Sequence, residues 1–235
     1  MTRSKAIPGA TAEAEAYAWL LDRIRMGELK PGARLTAEDV ATQIGMSRMP
    51  VREAIRRLDS EGHLTLRPNR GAIVTDRTFE QIQELFEIRS VLEGLAVRLA
   101  VDRIGPAEID EMREYLRRMK KGQNDADQWL PRHWAFHEYI CGLSGRQRLL
   151  REIERLYTAI EPHLRLWFFH ANRPVIAIKD HQQLLDVIET RDPERAEAAM
   201  REHVLVTAPH IIRFLQGQRQ RQTSPPDIRL WRPAD

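Results

Sequence analysis

The 235-residue chain has one cysteine, Cys141, which excludes an internal disulfide and fits a reducing compartment. It has no apolar run approaching about 20 residues and no hydrophobic signal core at its amino terminus. Neither membrane insertion nor export is indicated, and a cytoplasmic location is expected. It also lacks a large excess of one charge, since the formal net charge is +3 with 30% of residues charged. A non-specific, histone-like binder is thereby argued against, although a local basic patch is not. What is present is 42% hydrophobic residues, the balance of a soluble globular protein, and length enough for two domains with separate cores.

One stretch organises the rest. Over Gly45-Met46-Ser47-Arg48-Met49-Pro50-Val51-Arg52-Glu53-Ala54-Ile55-Arg56-Arg57-Leu58, the residues Val51, Ala54, Ile55 and Leu58 form an apolar stripe, while Arg48, Arg52 and Arg56 recur every fourth residue on another face. Gly45 supplies a turn, Ser47 can cap the new helix, and Pro50 sits in its first turn, where a missing N–H costs nothing. Upstream, residues 36–44 read as a short helix capped by Thr36, with Asp39 three residues on. Helix, glycine turn and Arg-faced helix make a helix-turn-helix. Downstream, Leu64-Thr65-Leu66, the turn Pro68-Asn69-Arg70-Gly71 and Ala72-Ile73-Val74 read as a hairpin, so the motif is winged. An arginine row alone is most often a solvated surface; the order of these pieces is what points to DNA.

The ordered residues Gly27-Glu28-Leu29-Lys30-Pro31-Gly32-Ala33-Arg34-Leu35, Val40-Ala41, 44–55, Leu58, Glu61-Gly62 and Arg70-Gly71 resemble the winged-helix domain of the GntR family of bacterial transcription regulators. The resemblance covers nearly the whole first domain. It implies that Ser47, Arg48, Arg52, Arg70 and Gly71 approach operator DNA. Met49 stands where the family usually has Thr, which places a different side chain at one contact.

Taken in order, residues 1–10 are expected to be a flexible arm, 11–76 the winged-helix domain, 77–217 a helical effector, metal-binding and dimerisation domain, and 218–235 a mostly disordered tail. Residues 75–78 are a polar joint. From Phe79 onward the pattern is helical, with helices expected at about 79–103, 106–121, 125–143, 146–171, 174–190 and 193–216, separated by Gly, Pro and Asn. The fold class is therefore mainly α: an N-terminal winged helix-turn-helix and a C-terminal antiparallel all-α bundle. Pro162 and Pro209 should kink or break their helices. Ile228, Leu230 and Trp231 are apolar exceptions in the tail.

Four of the eight histidines make a pattern. His133 and His137 are one turn apart on one helix, and His181 and His203 lie on later ones, so a bundle could turn four imidazoles toward one cation. Spacing alone leaves open that they are surface or satisfied core residues. Residues 79–216 resemble the ligand-binding bundle of the FadR-like branch of the GntR family, the FCD-type version described as binding a metal. The resemblance places ligands at His137, His181 and His203, and at His133 where the family normally has Asp. Four neutral imidazoles leave a divalent ion more positive than three with a carboxylate, and favour zinc, nickel, copper or iron over magnesium and calcium. Either His133 is a ligand or it turns away. Arg89 resembles a frequent arginine of the family and suits a carboxylate effector; equally, it can pair with Glu93 at i+4.

The expected function is a sequence-specific DNA-binding regulator, a repressor, acting as a homodimer and controlled by a small organic acid near a divalent transition metal, with zinc first. A metal-responsive regulator with the cation as signal is one alternative. A helical-bundle metalloenzyme is another, disfavoured because only Asp186 or Glu138 offers a general base and an enzyme needs no winged helix.

Overall fold

A computed structural model describes residues 11–68, 70–171 and 174–223; the arm at 1–10, Asn69 of the wing turn, and Ile228, Leu230 and Trp231 of the tail lie outside the described residues. Helix α1 (Ala12–Arg25) starts where the Thr11 side chain accepts from the Ala14 N–H at 3.2 Å. Glu13 and Glu15 in its first turn and Arg23 and Arg25 in its last complement the helix dipole. Its buried residues Ala16, Leu20 and Ile24 pack against Val51, Ala54, Ile55 and Leu58 of α3 (Arg48–Ser60). Between them, α2 (Ala37–Ile44) stops at Gly45, whose φ of 69° is the left-handed cap that turns the chain into α3.

Strands β1 (Arg34–Leu35), β2 (Leu64–Arg67) and β3 (Gly71–Val74) form an antiparallel sheet in the order β1-β3-β2, with Leu66 and Leu35 both opposite Ala72. The hairpin expected after α3 is present. Strand β1 was not anticipated, because two residues are too few to show an alternation. Gly71 has φ of 79°, and a Cβ there would lie 2.4 Å from the Leu35 carbonyl oxygen. The wing therefore packs against β1 only with glycine at its base.

The C-terminal half is helical: α4 (Phe79–Ala100), continued by a 3-10 turn at Val101–Arg103, α5 (Pro106–Lys121), α6 (Ala126–Gly142), α7 (Gln147–Ala171), α8 (Pro174–Glu189), α9 (Pro193–Leu205) and α10 (Ala208–Thr223). Pro209 falls in the first turn of α10, and the single helix expected at 193–216 is instead two. Pro162 lies inside α7, which continues through it. Helix α10 also runs past Gly217, where the tail was expected to begin; the Gln and Arg residues that follow are good helix formers, and one glycine costs only roughly 1 kcal/mol.

Helix α4 is the centre of this half. A capping box fixes its start: Gln81 N–H donates to the Thr78 hydroxyl oxygen at 3.2 Å, and Thr78 N–H donates to Gln81 Oε1 at 2.9 Å. One face buries Ile82, Phe86, Val97 and Ala100, each fully buried large side chain contributing roughly 1.5–3 kcal/mol. The opposite face leaves Ile88, Val91, Leu95 and Leu99 exposed. The two halves touch through α1 and α7, where Arg25 pairs with Glu161 at 2.7 Å.

Candidate functional site

The outward face of α3 carries Arg48, Met49, Arg52 and Arg56, all exposed. Ser47 has the extended backbone of an N-cap but its hydroxyl makes no cap hydrogen bond, so the capping role expected of its side chain is corrected. Pro50 at the third helical position has removed one of the N–H groups such a cap would serve. Arg48 is held by Glu38 of α2 at 2.5 Å and Arg56 by Glu53 at 2.9 Å. The wing is fastened to this helix, since Leu66 N–H donates to Asp59 Oδ1 at 2.8 Å. Its tip is fastened to β1, because Arg34 Nε donates to the Arg70 carbonyl oxygen at 2.7 Å. A groove between helix and wing is lined by Arg52, Arg56, Leu66 and Arg67. The residues expected at the DNA, namely Ser47, Arg48, Met49, Arg52, Arg70 and Gly71, thus lie along the start of one helix and the adjoining wing.

The four histidines converge. Each of His133, His137, His181 and His203 offers a nitrogen within 4.8 Å of the others', the first three buried and His203 half-buried. Helix α6 presents His133 and His137 one turn apart, α8 presents His181, and α9 presents His203. Trp129 stacks on the His133 ring with centroids 4.6 Å apart, which directs that ring toward the cluster. They form the floor of a cavity of about 600 Å³ whose walls include Phe86, Leu164 and Trp167, with Asp180, His210 and Arg213 also lining it.

Electrostatics suit this floor to a cation. His137 Nδ1 donates to Glu93 Oε2 at 2.6 Å, which orients the ring so that Nε2 faces His181 Nε2 at 3.3 Å. Burial would raise the Glu93 carboxyl, but Arg89 and His137 outweigh it by charge and hydrogen bond and hold it at about 2. Burial, then the charges of neighbouring histidines and Arg89, push His133 and His203 well below the ordinary imidazole value. They are therefore neutral, the form that binds metals. The buried His133 Nδ1 has no hydrogen-bond partner. The 3.3 Å separation also matches the about 3.3 Å between two nitrogens that share a tetrahedral ion at about 2.0 Å each. By donor chemistry and spacing, the four-histidine cluster could hold a metal.

Arg89 makes the i+4 pair with Glu93 and also faces the cavity. Its Nε donates to Glu93 Oε1 at 2.5 Å, and its buried Nη2 has no partner. Glu93 was read only as that i+4 partner; its bond to His137 spans 44 residues of sequence, so no local pattern marks it. Trp129, Asp180, His210 and Arg213 were also missed: Trp129 stands one turn before His133 and Asp180 beside His181, but only the packed bundle brings all four to the cavity. Asp186 and Glu138, the bases an enzyme would need, are exposed and do not line the cavity.

Comparison with known proteins agrees with the two-part geometry. Residues 12–74 match the model of the bacterial regulatory proteins of the gntR family, and residues 84–205 match the FCD domain. The chain is 32% identical over 179 residues to the HTH-type transcriptional regulator McbR of Escherichia coli, covering 74% of this chain and 81% of that protein. It is 28% identical over 213 residues to the HTH-type transcriptional repressor GlaR of Escherichia coli, covering 86% and 97%. The solved structure of E. coli McbR/YncC superposes with a TM-score of 0.75 at 28% identity, covering 88% of this chain and 99% of that one. A winged helix-turn-helix joined to a helical bundle, matched by both family models, places this chain in the GntR family of FCD-containing, DNA-binding transcriptional regulators, a family of regulators and not of enzymes.

Proposed function

We propose that the protein is a repressor that works in the cytoplasm as a homodimer and whose operator affinity is set by a small carboxylate bound beside a divalent metal, zinc first, in the helical domain. The observation that carries this reading is the cavity of about 600 Å³ in which Arg89 and four imidazoles converge. His133, His137, His181 and His203 would hold the ion, and the ion would supply a fixed positive charge facing the cavity. The unpartnered Nη2 of Arg89 would grip the carboxylate beside it. Repression is suggested by the name of the similar GlaR. A dimer accords with the exposed stripe Ile88, Val91, Leu95 and Leu99 on α4, and with the gain in reading a palindrome with two recognition helices. Sedimentation as a single copy would count against it.

For DNA, Ser47, Arg48, Met49, Arg52, Arg70 and Gly71 form the contacting set, with the domain division at the joint of residues 75–78. Coupling has a physical route. Asp127 on α6, the helix of His133 and His137, pairs with Arg165; Arg165 pairs with Glu161 at 3.4 Å; and Glu161 pairs with Arg25 of α1 at 2.7 Å. Helix α1 in turn packs on the recognition helix.

A second reading, in which the cation is itself the signal, is favoured by one observation: four protein nitrogens can close a tetrahedral site, whereas sites that take an exogenous ligand leave a position open. Metal analysis of the purified protein, followed by thermal-shift screening of carboxylates with and without chelator, separates the two. Carboxylates that stabilise only the metal-loaded protein support the effector reading. Operator binding that follows metal and chelator but no acid supports the sensor reading, and protein that takes up no metal sinks both.

A further inference from the structure

Met49 is a large apolar residue that α3 leaves exposed. It occupies the second helical position and is 62% exposed. Met46, just before the helix, packs instead on the domain core, and the apolar residues that α3 gives that core are Val51, Ala54, Ile55 and Leu58. At 100° per residue, Met49 shares one outward arc with Arg48, Arg52 and Arg56. Two of those arginines are engaged, Arg48 with Glu38 and Arg56 with Glu53. Among the described residues Arg52 alone in this arc has no ion-pair partner. The open chemistry of the face is thus one guanidinium and one thioether with its terminal methyl, on adjacent turns.

Scattered exposed apolar side chains are ordinary on protein surfaces. The position of this one is not ordinary, because the first turn of a recognition helix is the part whose side chains reach base edges in the major groove. Guanine offers two acceptors there, which suit a guanidinium fork, while the apolar group offered there is the C5 methyl of thymine. Met49 and Arg52 are separated by about 4.5 Å of helix rise, close to one base step of about 3.4 Å. Resting on the assignment of α3 as the DNA-reading helix, we infer that Met49 reads a thymine through its C5 methyl, at the base pair next to a guanine bound by Arg52. Met49 is then a specificity-determining residue, and the chain prefers a thymine at that step over a cytosine, which has no methyl at C5.

The test uses the full-length protein. A preferred duplex is first selected from randomised DNA, and each thymine in it is then replaced in turn by deoxyuridine, which removes only the methyl. The expected result is one thymine per half-site where the replacement weakens wild-type binding about fourfold, the worth of one buried methyl. Met49→Ala should bind the same duplex but be indifferent to that replacement, while Arg52→Ala should stay sensitive to it. Wild-type protein indifferent to deoxyuridine at every position would overturn the inference, as would a Met49→Ala variant that keeps the full penalty. Failure to select any duplex would remove the assignment of α3 itself, and the inference with it.

Discussion

Arg52 and His137 illustrate how differently the two working regions are built. The neighbours that define Arg52 come from its own helix and the wing a few residues later, and its side chain faces solvent. The partners of His137 are Glu93 and His181, each 44 residues away, and all three are buried. On the exposed face each cation adds its contact nearly independently and its loss leaves little behind. In the buried floor every group is charged, polarised or oriented by another, so removing one leaves the rest uncompensated. The arginine face is a sum, whereas the histidine floor is a network.

The sharpest way to break that contrast is Glu93→Ala. It leaves the Arg89 guanidinium buried without its 2.5 Å partner and frees the His137 ring from its 2.6 Å anchor. Removing one member of a buried ion pair costs about 3–5 kcal/mol, and losing a group that orients a metal ligand lowers metal affinity about 10–100-fold. Denaturant unfolding of metal-free protein and metal titration read the two effects separately. Unfolding unchanged from wild type would mean that the floor is not a network.

Arg52→Ala should be smaller and confined to DNA. An exposed guanidinium with no ion-pair partner takes nothing structural with it, so the unfolding curve should not move. Operator affinity should fall by roughly 1–3 kcal/mol, the worth of one bidentate base contact. Arg48→Ala should cost less, because Glu38 already competes for that side chain at 2.5 Å. Binding measured at fixed salt decides the matter, and equal losses for the two arginines would show that the ion pair is irrelevant on DNA.

The same contrast explains what the sequence reveals. Helix α5 runs over Pro106–Lys121, the span expected, because Gly105-Pro106 and Gly122 bracket it with local punctuation. The arginine face was equally legible, being one helical repeat. At the far end, a 3.6-residue pattern could not reveal that the chain from 193 breaks before Pro209, since both sides keep an apolar stripe. Nor could it reveal Glu93, whose role exists only once α4 and α6 are packed. That His133 turns in and not away depends on Trp129 stacking over it, a contact that an i+4 spacing permits without requiring.

The smallest expected effect sharpens the contrast by asking whether the network reaches the sum. Glu161 is 6% exposed and joins Arg25 of the DNA-binding half to Arg165 of the bundle. In Glu161→Gln, Arg165 keeps Asp127 and Arg25 is partly solvated, so the fold should persist. The charge linking α1 to the cavity-bearing helices is lost all the same. If the route through Glu161 carries the coupling, metal or carboxylate should change operator affinity by about 0.5–2 kcal/mol less than in wild type, while affinity without them stays the same. Paired binding isotherms with and without the cavity ligand give that difference directly. An unchanged ratio would mean that any coupling between the halves runs by another route, such as the α4 stripe of the proposed dimer, and the Arg25 contact would then be only a fastening.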